Sequence, residues 1–185
     1  MDWNRVRDSP SKVELNMSDN RDEVDSLVAA WRRERPDLDV APLEVLSRVT
    51  RLARQLDIAR RAAFAEHGLE TWGFDVLAAL RRAGTPYQLT PGQLIHENLV
   101  TSGTITNRLD RLESDGLLAR HPDPSDGRGT LVRITNKGIA VVDAALVDLL
   151  NREKELLQSL NGDERAELAR FLSRMLTQFE SESGE

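Results

Sequence analysis

The 185-residue chain has no cysteine, which excludes disulfides and thiol redox switching. Its three histidines, His67, His96 and His121, are scattered without metal-ligand spacing. No nucleophile elbow and no glycine-rich phosphate loop ahead of a helix is present. These absences predict a protein that is not an enzyme and uses neither cofactor nor metal. No apolar run approaches the ~20 residues of a membrane span, and the polar N-terminus does not read as a signal peptide, so we expect a cytoplasmic location and no membrane partner. Positive charge is also short: the net charge is −6. An acidic chain suits a phosphate partner only where its cations gather. From Thr101 to Lys137 six basic residues face five acidic ones, a local +1 that leaves −7 for the rest.

What is present is concentrated between Thr90 and Thr135. Thr90-Pro91-Gly92-Gln93 opens a short helix, with Thr90 as cap, Pro91 in the first helical position and Gln93 closing a capping box; it should stop near His96. Thr101 caps a second helix that runs to Asp115, with Gly116 just beyond its end. Ile105, Leu109 and Leu112 form its inward stripe. A turn of ~100° per residue places Gly103, Thr106, Asn107 and Asp110 opposite that stripe, with Thr104 and Arg111 on one flank. Small and hydrogen-bonding residues with one arginine suit a DNA major groove, where amides and guanidinium groups read base edges.

Beyond Gly116, Leu117 to His121 and Thr130 to Thr135 are strand candidates around the turn-rich residues 122–129. They read as a wing whose Arg128 reaches a minor groove, with Asp126 holding the loop or the arginine. A solvated surface hairpin is the alternative, since Asp, Gly and Pro fill loops generally. Helix, turn, helix and wing together favour DNA. We assign DNA contact to Thr101, Ser102, Thr104, Thr106, Asn107, Arg111, Asp126 and Arg128. The lobe spans residues 71–135.

The flanks are helical. Residues 1–17 are polar and aperiodic and read as a disordered tail. Residues 18–36 contain Val24, Leu27, Val28 and Trp31 at i, i+3, i+4 and i+7, an extra N-terminal helix. Residues 42–68 carry Leu43, Leu46, Val49, Ala53, Leu56 and Ala63 along one side. Residues 137–180 form two amphipathic helices broken at Asn161-Gly162. The fold class is therefore mainly α, a winged helix-turn-helix with a small β-hairpin wing and long terminal helices.

Thr106-Asn107-Arg108-Leu109-Asp110-Arg111-Leu112-Glu113, then Asp126-x-Arg128, Leu131 to Thr135 and Lys137-Gly138, resemble the MarR family of bacterial transcription regulators. The resemblance runs from about Leu43 to the C-terminus. It implies a homodimer on double-stranded DNA, with residues 42–68 and 137–180 as dimerisation helices and half-sites near one DNA turn apart. It also implies a repressor that binds a palindromic operator. The lack of cysteine sets aside the family's peroxide-sensing branch. Gly129 replaces a position that is often Ser, which predicts a looser wing tip.

Trp72 to Leu80 is apolar all round except for Asp75, so the helix between Thr71 and Arg82 should be buried. Asp75 then needs a partner, unless it reaches solvent. Arg108, beside the Ile105–Leu109 stripe, points inward and is a candidate. Together with Trp31 in its extra helix and Phe74-Asp75-Val76-Leu77, this resembles the urate-responsive, PecS-like branch of the MarR family. That resemblance implies an effector site including Trp31, Asp75 and Arg108, with Arg120 a further candidate. An Asn of the branch falls at or near Ala83 here, a departure that leaves a purine-like or other small anionic ligand. Trp31 also reads as helix-packing core. A protein-interaction adaptor that keeps a winged helix is the other class of function these features allow.

Overall fold

The computed structural model describes residues 21–98, 101–124, 126 and 129–180. The expected tail and Arg128 lie outside these residues.

Helix α1 (Glu23–Glu34) starts where Asp22 accepts the Val24 and Asp25 backbone N–H groups and Asp25 accepts that of Asp22, a reciprocal cap. It buries Val24 and Val28 in a small cluster with Val40, next to Leu27 and Leu43. Helix α2 (Ala41–Ala65) follows, and the chain divides within it into two compact units, 1–53 and 54–185. Arg48 of α2 binds Asp22 and Asp25, at 2.8 Å each.

The second unit is built around α3 (Thr71–Arg82), whose Gly73, Phe74 and Val76 to Leu80 are buried, as its all-round apolar pattern requires. The rings of Phe64 and Phe74 stack with centroids 4.0 Å apart. Against α3 pack α4 (Pro91–Asn98), α5 (Ser102–Ser114) and α6 (Asn136–Leu156). Helix α7 (Gly162–Glu180) ends the described chain. The expected capping box on α4 is present: Gln93 N–H donates to Thr90 Oγ1 at 3.2 Å, and Thr90 N–H to Gln93 Oε1 at 2.8 Å. The helix runs two residues past His96, to Asn98, whose side-chain amide donates to the Leu94 carbonyl.

The sheet holds one strand more than the hairpin read from sequence. Strands β2 (Leu118–Pro122) and β3 (Thr130–Ile134) pair antiparallel from Leu118↔Ile134 to Pro122↔Thr130, and β1 (Gln88–Leu89) covers the other edge of β3, giving the order β1-β3-β2. Two residues carry no readable alternation, and β1 exists because β3 presents a free edge. Val132 and Ile134 of β3 and Leu118 of β2 enter the core with Ile105, Leu109 and Leu112.

Candidate nucleic-acid interface

Thr101 begins α5 as expected: its backbone is extended and its Oγ1 accepts the Thr104 N–H. Gly116 follows the helix with φ +71°, a conformation in which a Cβ is costly. The stripe of Ile105, Leu109 and Leu112 is buried, while Thr101, Ser102, Gly103, Thr104, Thr106, Asn107, Asp110 and Arg111 are exposed. Burying three large apolar side chains fixes the rotation of α5 and leaves its polar face outward.

Both flanks of that face are tied by ion pairs. On one side Arg120 of β2 donates to Asp110 at 2.6 Å and to Glu113 at 2.9 Å, while its own N–H donates to Glu113. Its guanidinium also reaches the Thr106 carbonyl at 3.4 Å. Only 27% of the Arg120 side chain is exposed. Its position is that of a strut between wing and helix, with its donors directed at α5. On the other side Arg111 donates to Glu70 at 2.7 Å and lies 4.8 Å over the Trp72 ring. Trp72 Nε1–H donates to the same Glu70 at 2.8 Å. These two donors hold the Glu70 carboxyl below its ordinary range, Trp72 contributing most. Sequence reasoning missed Glu70 and Trp72; a Glu-x-Trp ahead of an apolar helix was the available signal.

The wing closes tightly at Gly129. Its carbonyl accepts the Asp123 N–H at 2.9 Å and its N–H donates to the Asp126 carbonyl at 2.8 Å. A Cβ there would come within 2.9 Å of the Asp123 Cβ. Absence of a side chain at Gly129 lets the loop close there. Asp126 holds the loop through its backbone.

The expected pairing of Asp75 with Arg108 is also corrected. Asp75 is half-buried, and its hydrogen-bonded partner is Arg60 of α2, at 3.2 Å. Burial raises its carboxyl above the ordinary range, with Arg60, Arg108 and Arg82 opposing that shift. Arg108 is half-buried, as its place beside the stripe implies, but lies over the Trp72 ring at 5.7 Å. An open cleft of about 170 Å³ is lined by Asp75, Arg82, Glu97 and Asn98. Trp31 belongs to the N-terminal unit and is 48% exposed, which corrects its reading as packed core. Among the described residues no helix is long and apolar enough to cross a membrane.

A model described as MarR family matches residues 67–129, the segment from the end of α2 into the wing. The chain is 35% identical over 153 residues to the HTH-type transcriptional regulator PecS of Dickeya dadantii, covering 83% of this chain and 92% of that one. It is 30% identical over 143 residues to the HTH-type transcriptional repressor NicR of Pseudomonas putida, covering 75% and 89%. Among solved structures, a mutant MarR of Escherichia coli complexed with operator DNA aligns with a TM-score of 0.62 and 29% identity over 75% of this chain and 99% of that chain. The capped, outward-facing α5, the β2–β3 wing strutted against it and these likenesses agree: the chain belongs to the MarR family of winged helix-turn-helix transcriptional regulators.

Proposed function

We propose that this regulator is a homodimeric repressor that binds a palindromic operator and is released by a small anionic or purine-like ligand, urate among them. The observation that carries the DNA half is the polar face of α5, presented outward between two ion-paired flanks. Thr101, Ser102, Thr104, Thr106, Asn107 and Arg111 meet the major groove, and the wing with Asp126 and Arg128 meets the neighbouring minor groove. Dimerisation is supported by apolar side chains left exposed on the last two helices, among them Leu146, Leu150, Phe171, Leu172, Leu176 and Phe179. A second copy covers such faces and sets the half-site spacing. The likeness to NicR, a transcriptional repressor by name, supports the direction of regulation. We place the protein in the cytoplasm, with its DNA.

For the effector, the family resemblance names Trp31, Asp75 and Arg108; within the second unit Arg108 and Arg82 supply cations beside the half-buried carboxylate of Asp75. Arg120 is a weaker candidate because its donors are already engaged. A ligand that draws Arg108 moves α5 with it, and ligand and DNA then oppose each other through one coupling free energy of ~1 to 3 kcal/mol. The test is operator binding by mobility shift against urate and other small anions, with light scattering for the oligomer. We expect a dimer released by at least one such anion, with release weakened about tenfold or more in Trp31→Ala and Arg108→Ala. A chain that ignores every duplex supports the adaptor instead, and release unaffected by either substitution removes those residues from the site.

A further inference from the structure

Two arginines bordering the exposed face of α5 meet carboxylates within the protein, and the two pairs differ. Arg120 bridges two carboxylates and is largely covered. Arg111 meets one carboxylate, with 64% of its side chain and 60% of that of Glu70 exposed. An exposed pair in water is weakly bound, so the seat biases Arg111 toward Glu70 by only a few-fold, and a phosphate held beside it can take its place.

Glu70 occupies the residue before α3 and makes no side-chain cap there, which leaves both its carboxylate oxygens for other donors. It accepts from Trp72 Nε1–H and from Arg111. The indole that fixes Glu70 is also the ring beneath the Arg111 guanidinium. Acid and ring together form a seat for one cation on the flank of the DNA-reading face.

We propose that Glu70 is a specificity-determining residue, which withholds Arg111 from the phosphates of non-operator DNA. The proposal rests on the reading of the chain as a sequence-specific DNA binder. Binding to arbitrary sequence depends on phosphate contacts, so a cation seated on an internal carboxylate is one contact fewer in that mode. On an operator, base-edge contacts from Thr104, Thr106 and Asn107 hold α5 in the groove, and a phosphate beside Arg111 then competes at high effective concentration. Arg111 changes partner only there. The acid thereby weakens arbitrary binding more than operator binding and widens the ratio between them.

The experiment uses the full chain, a duplex selected by the wild-type protein from a random pool, and a random-sequence duplex of equal length. Affinities are followed by fluorescence anisotropy from ~50 to ~200 mM salt. Glu70→Gln keeps the shape and the Trp72 hydrogen bond and removes the charge. It should steepen the salt dependence on random duplex by about 0.9 in log–log slope, so that Kd changes about 3.5-fold more across this range, with the operator slope unchanged. Discrimination falls by a similar factor at the lower salt. In the Arg111→Gln background, Glu70→Gln should have no further effect on the random duplex. Unchanged slopes on both duplexes, or equal weakening on both, would overturn the proposal. A wild-type protein that cannot tell the selected duplex from random DNA would instead overturn the underlying reading.

Discussion

Helices α1 and α5 are of nearly equal length, 12 and 13 residues, and each begins on a side-chain cap, yet different forces hold them. Helix α1 buries two valines in a cluster with Val40 and is otherwise attached by charge: Asp22 and Asp25 to Arg48, Arg32 to Glu44, and Glu23 to Arg51. Helix α5 sends Ile105, Leu109 and Leu112 into a continuous core shared by five helices and the sheet, and its ion pairs lie on its flanks. Apolar burial is neither screened nor titrated, whereas exposed ion pairs are both. One chain therefore carries a helix, α5, fixed by packing and an N-terminal helix, α1, that solution conditions loosen.

The sharpest way to break this comparison is to truncate matched apolar residues. Leu109→Ala should cost ~2 to 5 kcal/mol in urea unfolding of the DNA-binding lobe. Val28→Ala should raise amide exchange in α1 and leave the lobe's transition in place. If Val28→Ala shifted that transition as far as Leu109→Ala does, the two helices would not be held differently.

A smaller effect is expected at the wing strut. Arg120→Ala leaves Asp110 and Glu113 without their cation beside the polar face of α5, and operator Kd should rise about tenfold. Circular dichroism should show the helices retained. An unchanged Kd would mean that the strut does not set how wing and helix meet DNA.

The mildest perturbation is acid. Asp22 and Asp25 are held below their ordinary value of 3.8, Asp22 chiefly by Arg48 and Asp25 first by the Asp22 N–H and then by Arg48. A lowered folded-state value adds stability above the ordinary value, and that stability is lost as pH falls through the lowered one. Amide exchange, corrected for its intrinsic pH dependence, should therefore show α1 losing protection below about pH 4, ahead of α5. Simultaneous loss in both helices would argue against charge as the attachment of α1.

Much of the lobe was legible because its signals are local. Thr90 with Gln93, Thr101 with Gly116, and the period of Ile105, Leu109 and Leu112 each act within a few residues of chain, where backbone geometry limits the choices. Differences arise where partners come from afar. Asp75 reads as buried because its own helix is apolar, and nothing within α3 indicates that Arg60, fifteen residues upstream, returns to meet it. Arg108 sits at the edge of the stripe as its spacing predicts, but its neighbour is an indole. Trp31 fits a helical stripe and is nonetheless half-exposed, because the cluster beneath α1 ends at Val24, Val28 and Val40.

The amino-acid pattern alone determined where α4 and α5 begin, which face of α5 turns outward, and that a wing follows, since capping, periodicity and turn chemistry are short-range. Tertiary structure decided which charges meet: Arg120 with Asp110 and Glu113, Arg111 with Glu70 over Trp72, and Arg60 with Asp75. An ion pair has no sequence period. Its partners are set by the distances at which packed elements bring side chains together, and only the fold supplies those distances.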